Sequence, residues 1–410
     1  MDSSIDVLVI GGGATGAGIA RDLALRGVDV TLVERDGLAA GASGRSHGLL
    51  HSGARYAEAD GPEARACLEE SHTLRRIAGA CIRETRGLFV QLAADDPAYF
   101  EAKRRACDDA GISTEVVDAG AVRETIPDVT DDLERAMWVP DGVVVPSRLV
   151  AANAADVSEH GGRIRTHAPV RSMTREDDRI ASVALGGEVD RTVRPRYVVN
   201  ATGPHAGRIA DMAGVSVAMR PTRGVMVSVA YDGLGPVLNR CREPADGDII
   251  VPHDGEVVLG TTSVAVEDPD DYERANWEVE RTIEECAAML PPVADADRVR
   301  TWWGVRPLYE PDEAARGGRG ISRGFHLLDH ADDGLANCCS IVGGKLTTYR
   351  KMAEATADLV CDRLGVDADC STADRQLPAV TDPTQLDAFV ERFDGQGPTD
   401  SDIVDRTDPP

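Results

Sequence analysis

Residues 5–34, IDVLVIGGGATGAGIARDLALRGVDVTLVE, constrain the fold of this chain more than any other stretch. Ile5–Ile10 is an apolar run of strand type, and it enters GGGATG at 11–16. An Ala/Leu-rich helical pattern follows to Gly27, and Val28–Val33 forms a second strand closing on Glu34. Gly11, Gly13 and Gly16 fit G-x-G-x-x-G. The first glycine permits the tight turn, the second lets backbone approach a pyrophosphate, and the third lets helix pack on strand. The helix start offers unpaired N–H groups and a positive dipole end to that phosphate. Glu34 stands 23 residues after Gly11, where a carboxylate can accept from both ribose hydroxyls. The unit therefore predicts an α/β, Rossmann-like dinucleotide-binding domain. The acid at 34 allows NAD or FAD and disfavours a 2′-phosphate.

A second signal lies far downstream. GGKLTTYR (343–350) carries one of only three lysines, Lys103, Lys345 and Lys351, in a chain with 44 basic residues. From Leu346, apolar residues recur at helical spacing to Leu364, with Arg363 near the end and Gly365 just beyond. Gly343 and Gly344 thus precede a helix start whose bare N–H groups suit a phosphate or the electron-rich edge of a reduced flavin. Lys345 adds a compact cation there, whereas Lys351 reads as a solvated helix residue. RYVVNATGPHA (196–206) reads as a strand ending in ATGP; in flavoproteins with two dinucleotide-binding motifs such a strand returns beside the first, and its ATG loop meets the cofactor. SGRSHGLLHSGARYAE (43–58) is too rich in Gly, Ser and His for a core segment. WWGVRPL, ISRGFHLL and VVLGTTS place Arg306, Arg323 and two threonine hydroxyls in Gly/Pro-punctuated apolar settings.

Composition narrows the function. Seventy acidic residues against 44 basic give a net charge of −26, which disfavours a nucleic-acid partner. With 42% hydrophobic residues the chain is nevertheless foldable rather than disordered. Acidity with so little lysine resembles the proteome style of extreme halophiles. In such a molecule an anion pocket has to be built locally, from arginines. The nine cysteines form no CxxC and read as reduced thiols of a cytoplasmic protein. The start MDSS, without a basic n-region, leads one to expect no signal peptide, and no apolar run nears the roughly 18 residues of a membrane span. Without a basic amphipathic stretch, membrane contact is expected only peripherally, through partners.

Taken together, VIGGGATGAGIARDLALRG, GASGRSHGLLHSGARYA, VPDGVV, VNATGP, GTTS, GVRPL, SRGFHLLDHA and GGKLTTYR resemble FAD-dependent glycerol-3-phosphate dehydrogenases, in particular the catalytic A subunit of the anaerobic type. The resemblance runs from residue 4 to about 375. It implies an amino-acid-oxidase-like FAD domain with an inserted α+β substrate domain on an antiparallel sheet. It also implies oxidation of sn-glycerol 3-phosphate to dihydroxyacetone phosphate, by hydride transfer from C2 to flavin N5. Electrons would pass to a quinone through flavin or iron–sulfur partner subunits. Carried over by position, the FAD shell is Gly11, Gly13, Gly16, Glu34, Ser43, Ser46, Thr202, Gly203, Gly344 and Leu346. The substrate shell is His51, Arg55, Tyr56, Thr261, Arg306, Arg323 and Lys345. Arg55 and Arg323 are placed on the phosphate, because guanidinium forks give bidentate contacts lysine cannot. Arg306 and Lys345 orient the C2 oxygen and steady charge at the flavin edge. His51 is the preferred base, with a structural histidine as the alternative.

The resemblance has one departure. Catalytic chains of this type usually continue into a cysteine-bearing domain holding an iron–sulfur cluster, whereas no cysteine follows Cys370 here. No cluster or other metal is expected on this chain, which is either a truncated form or dependent on partners for electron exit. The expected layout is an FAD domain from 1–75, 147–218 and 326–372, a substrate domain from 76–146 and 219–325, and a helix plus tail over 373–410. Two other readings stay open: a related amine or amino-acid oxidase or 2-hydroxyacid dehydrogenase, and a flavin-binding assembly protein without catalysis.

Overall fold

A computed structural model describes residues 4–310 and 324–395. The opening unit folds as its pattern dictates: strand Ser4–Ile10, helix Ala14–Leu25 and strand Val30–Val33, the strands paired in parallel. The helix buries nearly every residue, because it is roofed by helices Pro146–Glu159 and Tyr349–Leu364. Gly18 is required there, since an added Cβ would sit 2.9 Å from the Tyr349 ring. Strand Arg191–Asn200 returns parallel to Ser4–Ile10, and Cys338–Gly343 pairs parallel with its last residues. Arg163–Arg165 extends the sheet beyond Val30–Val33. A hairpin of Val170–Glu176 and Arg179–Leu185 completes the other edge, with Phe325–Asp329 beside Cys338–Gly343. The carboxyl ends of the central strands Ser4–Ile10, Arg191–Asn200 and Cys338–Gly343 lead into the three glycine-bearing loops that the motifs mark.

A second, nine-stranded sheet is built around Thr222–Ala230, which pairs antiparallel with Glu256–Gly260 and with Arg298–Arg306. Ile249–His253 and Glu256–Gly260 form the hairpin expected about HDG, with Gly255 at φ +75°. Strands Gly87–Leu92, Glu115–Asp118 and Leu133–Val139 join the same sheet. They are stitched on by one parallel pair, Val237–Arg240 with Gly87–Leu92, so this sheet is not wholly antiparallel as the sequence suggests. Helix Asn276–Ala287 covers one face, burying Val279 and Cys286 in an apolar cluster with Val225, Val227, Leu259 and Trp303.

Two expectations need correction. The 43–58 segment, too rich in Gly, Ser and His for a core segment by composition, is nonetheless largely interior: Leu49, Leu50, Ser52 and Ala54 are fully buried or nearly so. Leu49–Leu50 there pairs with Gly142–Val144 in a small three-stranded sheet. The late helix starts at Tyr349, three residues after Leu346, because Lys345–Thr348 closes a turn of its own. It ends on Gly365 in the left-handed conformation, as predicted. Helix Pro383–Arg392 lies within the 373–394 stretch, and all nine cysteines are free thiols.

Candidate active site

A cavity of about 500 Å³ opens at the carboxyl ends of the first sheet's strands. Its wall contains Gly11, Gly13, Glu34, Ser43, Thr202 and Gly203, six of the ten predicted cofactor residues. Gly11 has φ +113°, and a Cβ there would strike the Ala201 carbonyl; one on Gly16 would overlap the Gly11 carbonyl oxygen. Turn, strand and helix are therefore packed as closely as bare backbone allows. Ser43 Oγ accepts from the N–H of Ala14 at 2.9 Å, so the hydroxyl sits at the helix mouth. Thr202 donates to Asn200 Oδ1 at 2.7 Å, and Asn200 in turn donates to Ser340 Oγ at 3.1 Å. That chain fixes the ATG loop against the neighbouring strand.

The other four lie off the wall. Gly16 is packing, and Ser46 donates to the Ser43 carbonyl at 3.0 Å, bracing the loop from behind. Gly344, with φ +70°, packs on Met352, while its neighbour Gly343 lines the cavity. Leu346 lies against the hydrophobic core. The N–H groups of Leu346 and Thr347 have no acceptor among the described residues, the open donors expected of this turn. Glu34 is more occupied than the sequence implies. Its carboxylate accepts from the N–H of Gly12 at 2.6 Å and of Asp36 at 3.0 Å while it faces the cavity. A glycine cradle that Cβ atoms would fill and a helix mouth meet along one cleft, with Gly343 on its wall just before the turn that holds the open amides, which fits FAD.

Beyond Arg45 and Gly343 the predicted substrate residues form a second cluster. Arg306 ends its strand with Nη2 donating to Thr261 Oγ1 at 3.2 Å and to the Thr262 carbonyl at 3.0 Å. A Cβ on Gly224 would collide with all three groups, so the opposite strand has to be bare there. Arg55 is held by Asp248 at 2.5 Å and by Asn239 Oδ1 at 3.3 Å. Asn239 Nδ2, fully buried, has no acceptor among the described residues. Tyr56 OH lies 3.4 Å from His51 Nε2, and the backbone N–H of His51 donates to Thr347 Oγ1 at 3.1 Å. Lys345 points inward: its ammonium lies 4.2 Å over the Tyr56 ring and pairs with Glu63. Arg323 lies outside the described residues.

His47 links the two arginines. Burial, and then the charges of Arg55 and Arg306, push its imidazole down to about 3. Its Nδ1 accepts from the N–H of Leu49 at 3.2 Å, so the ring is neutral and used up structurally. His51 is left as the histidine at the site with its ring on Tyr56.

Sequence reasoning missed the carboxylates. Glu63, Asp248 and Glu278 lie 282, 193 and 55 residues from the cations they hold. Glu278 is wholly buried and receives Arg223 at 2.9 Å, Thr262 Oγ1 at 2.6 Å and Trp303 Nε1 at 3.3 Å, which fixes the Arg306 shelf from below. At the cavity rim Asp270 collects Arg35, His205 and Arg208, and the hydrogen bonds and charges of Arg35 and then His205 hold its carboxyl well below the usual range. No local spacing announces such pairs. An acidic residue in a strand or helix of an apolar pattern is the single hint available.

The sequence profile described as FAD dependent oxidoreductase matches residues 6–359. The A1 chain of the anaerobic glycerol-3-phosphate dehydrogenase of Haloferax volcanii is 50% identical over 413 residues, covering 97% of this chain and 70% of that protein. The corresponding A chain of the Escherichia coli K12 enzyme is 45% identical over 390 residues, covering 93% and 72%. Among solved structures, the glycerol-3-phosphate dehydrogenase of Bacillus halodurans complexed with FAD superposes with a TM-score of 0.71 at 24% identity, over 95% of this chain and 71% of that one. Glycine oxidase of Geobacillus kaustophilus gives 0.72 at 22%, over 92% and 99%. At such identities these two structures speak for the fold.

Proposed function

The chain belongs to the FAD dependent oxidoreductases and, within them, to the A subunits of anaerobic glycerol-3-phosphate dehydrogenases, and from that premise we propose how its residues oxidise sn-glycerol 3-phosphate to dihydroxyacetone phosphate. FAD, when bound, supplies the two-electron acceptor that takes hydride from C2. Gly11, Gly13, Ser43, Thr202 and Gly203 would hold its nucleotide half, with Glu34 at the ribose and the Gly344–Leu346 turn at the ring. On this reading the second sheet, from 76–146 and 219–325, carries the substrate, and the first sheet carries the cofactor.

The observation that carries the proposal is the gathering of Arg55 and Arg306 about His47, with Lys345 over Tyr56 and Tyr56 against His51, inside a chain of net charge −26. A phosphomonoester dianion needs guanidinium forks and further donors. Arg55 and Arg323 serve the phosphate, and the open Nδ2 of Asn239 stands beside Arg55. Arg306, steadied by Thr261 and the Thr262 carbonyl, orients the C2 oxygen. His51 takes the proton of the C2 hydroxyl, and Tyr56 holds its ring. Lys345 steadies negative charge as it develops. A carboxylate substrate would need one fork, which is why phosphate is preferred over an amino acid or a 2-hydroxyacid. No helix among the described residues is long and apolar enough to cross a membrane. The relatives are named as subunits, and electrons are proposed to leave through partner subunits towards a quinone at the cytoplasmic face of the membrane.

Anaerobic titration of the flavin-loaded protein with glycerol 3-phosphate, sarcosine and 2-hydroxyglutarate tests the reading. Bleaching of the flavin absorption by glycerol 3-phosphate alone is expected. Bleaching by either of the others but not by glycerol 3-phosphate would favour the oxidase or hydroxyacid reading, and no bleaching at all an assembly role.

A further inference from the structure

Helix Gly61–Ile77 begins at Asp60, whose side chain accepts from the N–H of Glu63 at 3.1 Å. Asp60 and Glu63 spell a capping box, in which the acid three residues on reaches back to the cap N–H. Glu63 does not do so. The Asp60 N–H already donates to the Tyr56 carbonyl at 2.8 Å, and the Glu63 carboxylate turns away to Lys345. Nor is it needed to dock the helix. Two turns on, Glu70 grips Arg350 through a two-point fork of 2.5 and 2.9 Å, and this pair already ties the helix to Tyr349–Leu364. Both members of the Glu63–Lys345 pair are nearly buried, at 11% and 7% side-chain exposure. A carboxylate in such a place is costly unless its charge is used.

From Glu63 the contacts run in one line: to the Lys345 ammonium, which stacks on Tyr56, whose hydroxyl meets His51. We propose that Glu63 is a positioning residue of the active site, which holds the Lys345 ammonium over Tyr56 and sets how much positive charge it presents to the reacting centre. In this role Glu63 acts through Lys345. This rests on the placement of Lys345 at the flavin given above.

Sulfite is a suitable probe, because it adds to the flavin ring and its adduct is stabilised by nearby positive charge. The experiment is a double-mutant cycle on the flavin-loaded protein, with Glu63→Gln, Lys345→Met and both together, reading the sulfite dissociation constant from the visible spectrum. Removing the counter-charge in Glu63→Gln is expected to tighten sulfite roughly tenfold, the size of effect a neighbouring charge exerts on an ionising group. Lys345→Met is expected to weaken it by a similar factor, and the double variant to match Lys345→Met within about twofold. A shift of equal size from Glu63→Gln in both backgrounds, or none in either, overturns the proposal. If Glu63→Gln alone fails to retain flavin, the double variant, which leaves no unpaired ion, still decides against Lys345→Met. Unchanged sulfite affinity and turnover in Lys345→Met would instead overturn the placement of Lys345.

Discussion

Along the glycine turns of the cofactor cavity the protein offers backbone, with Gly11, Gly13, Gly203 and Gly343 on the wall and a helix mouth behind them, while the charges of Arg35, His205, Arg208 and Asp270 offset one another at the rim. Around Arg306 it offers side-chain charge, and there almost every cation has its own buried or half-buried carboxylate. The contrast has a physical origin. Amides are permanent dipoles that carry no net charge and need no counter-ion, so a glycine turn can stand open at low cost. A guanidinium or ammonium taken out of water needs a partner, and the protein supplies Asp248 and Glu63 for that purpose. The glycine cradle should therefore fail sterically and the cluster around Arg306 electrostatically.

The sharpest break is steric. Gly16→Ala would drive a methyl group into the Gly11 carbonyl oxygen, and is expected to cost more than about 3 kcal/mol and to leave the purified protein without flavin absorbance. Next comes Asp248→Asn, which leaves the Arg55 charge without its carboxylate at 2.5 Å. About 3 kcal/mol should be lost in denaturant titration, with flavin still bound beforehand. His47→Gln probes the same field through pH. The folded imidazole has been pushed down to about 3 from its ordinary 6.5, so between those values the unfolded chain binds a proton the folded one does not. The stability tied to neutral His47 is complete above pH 6.5 and is lost as pH falls towards 3. Between pH 7 and pH 4 the wild type should lose about 2 kcal/mol more than His47→Gln, a figure reduced for the part of the ring left accessible. The smallest effect belongs to the neutral side: Thr202→Val removes one hydrogen bond to Asn200, and FAD affinity should fall about fivefold, or about 1 kcal/mol.

The same contrast explains which features are legible in the amino-acid sequence. Turn glycines, the Glu34 position, the HDG hairpin and the Gly365 cap are local devices, and sequence neighbours determine them. The return of Arg191–Asn200 beside the first strand is not local, yet it ends in the ATG signature, whose loop lines the cavity. Arg306, Arg55 and Lys345 are visible because arginines and a rare lysine stand out in apolar, glycine-rich settings. Their counter-ions are not visible, because Glu63 sits in a capping box and Glu278 in an ordinary acidic helix, among 70 acidic residues. The 43–58 segment is more deeply buried than its Gly, Ser and His suggest, since small polar residues look alike in a loop and in an interior segment. The parallel stitch of Val237–Arg240 to Gly87–Leu92 joins strands about 150 residues apart, with nothing in either to announce it.

Arg306→Met tests the central claim most directly, since the Arg306 guanidinium rests on the Thr261 hydroxyl and the Thr262 carbonyl, while its neighbours Val305 and Pro307, not Arg306 itself, line the cofactor cavity. The kcat/KM for glycerol 3-phosphate, measured on protein whose flavin spectrum matches the wild type, should fall by about a thousandfold, or about 4 kcal/mol. Arg306→Lys should recover only part of that loss. A value for Arg306→Met within about threefold of wild type, with full flavin occupancy, would contradict the assignment of this cluster to the substrate.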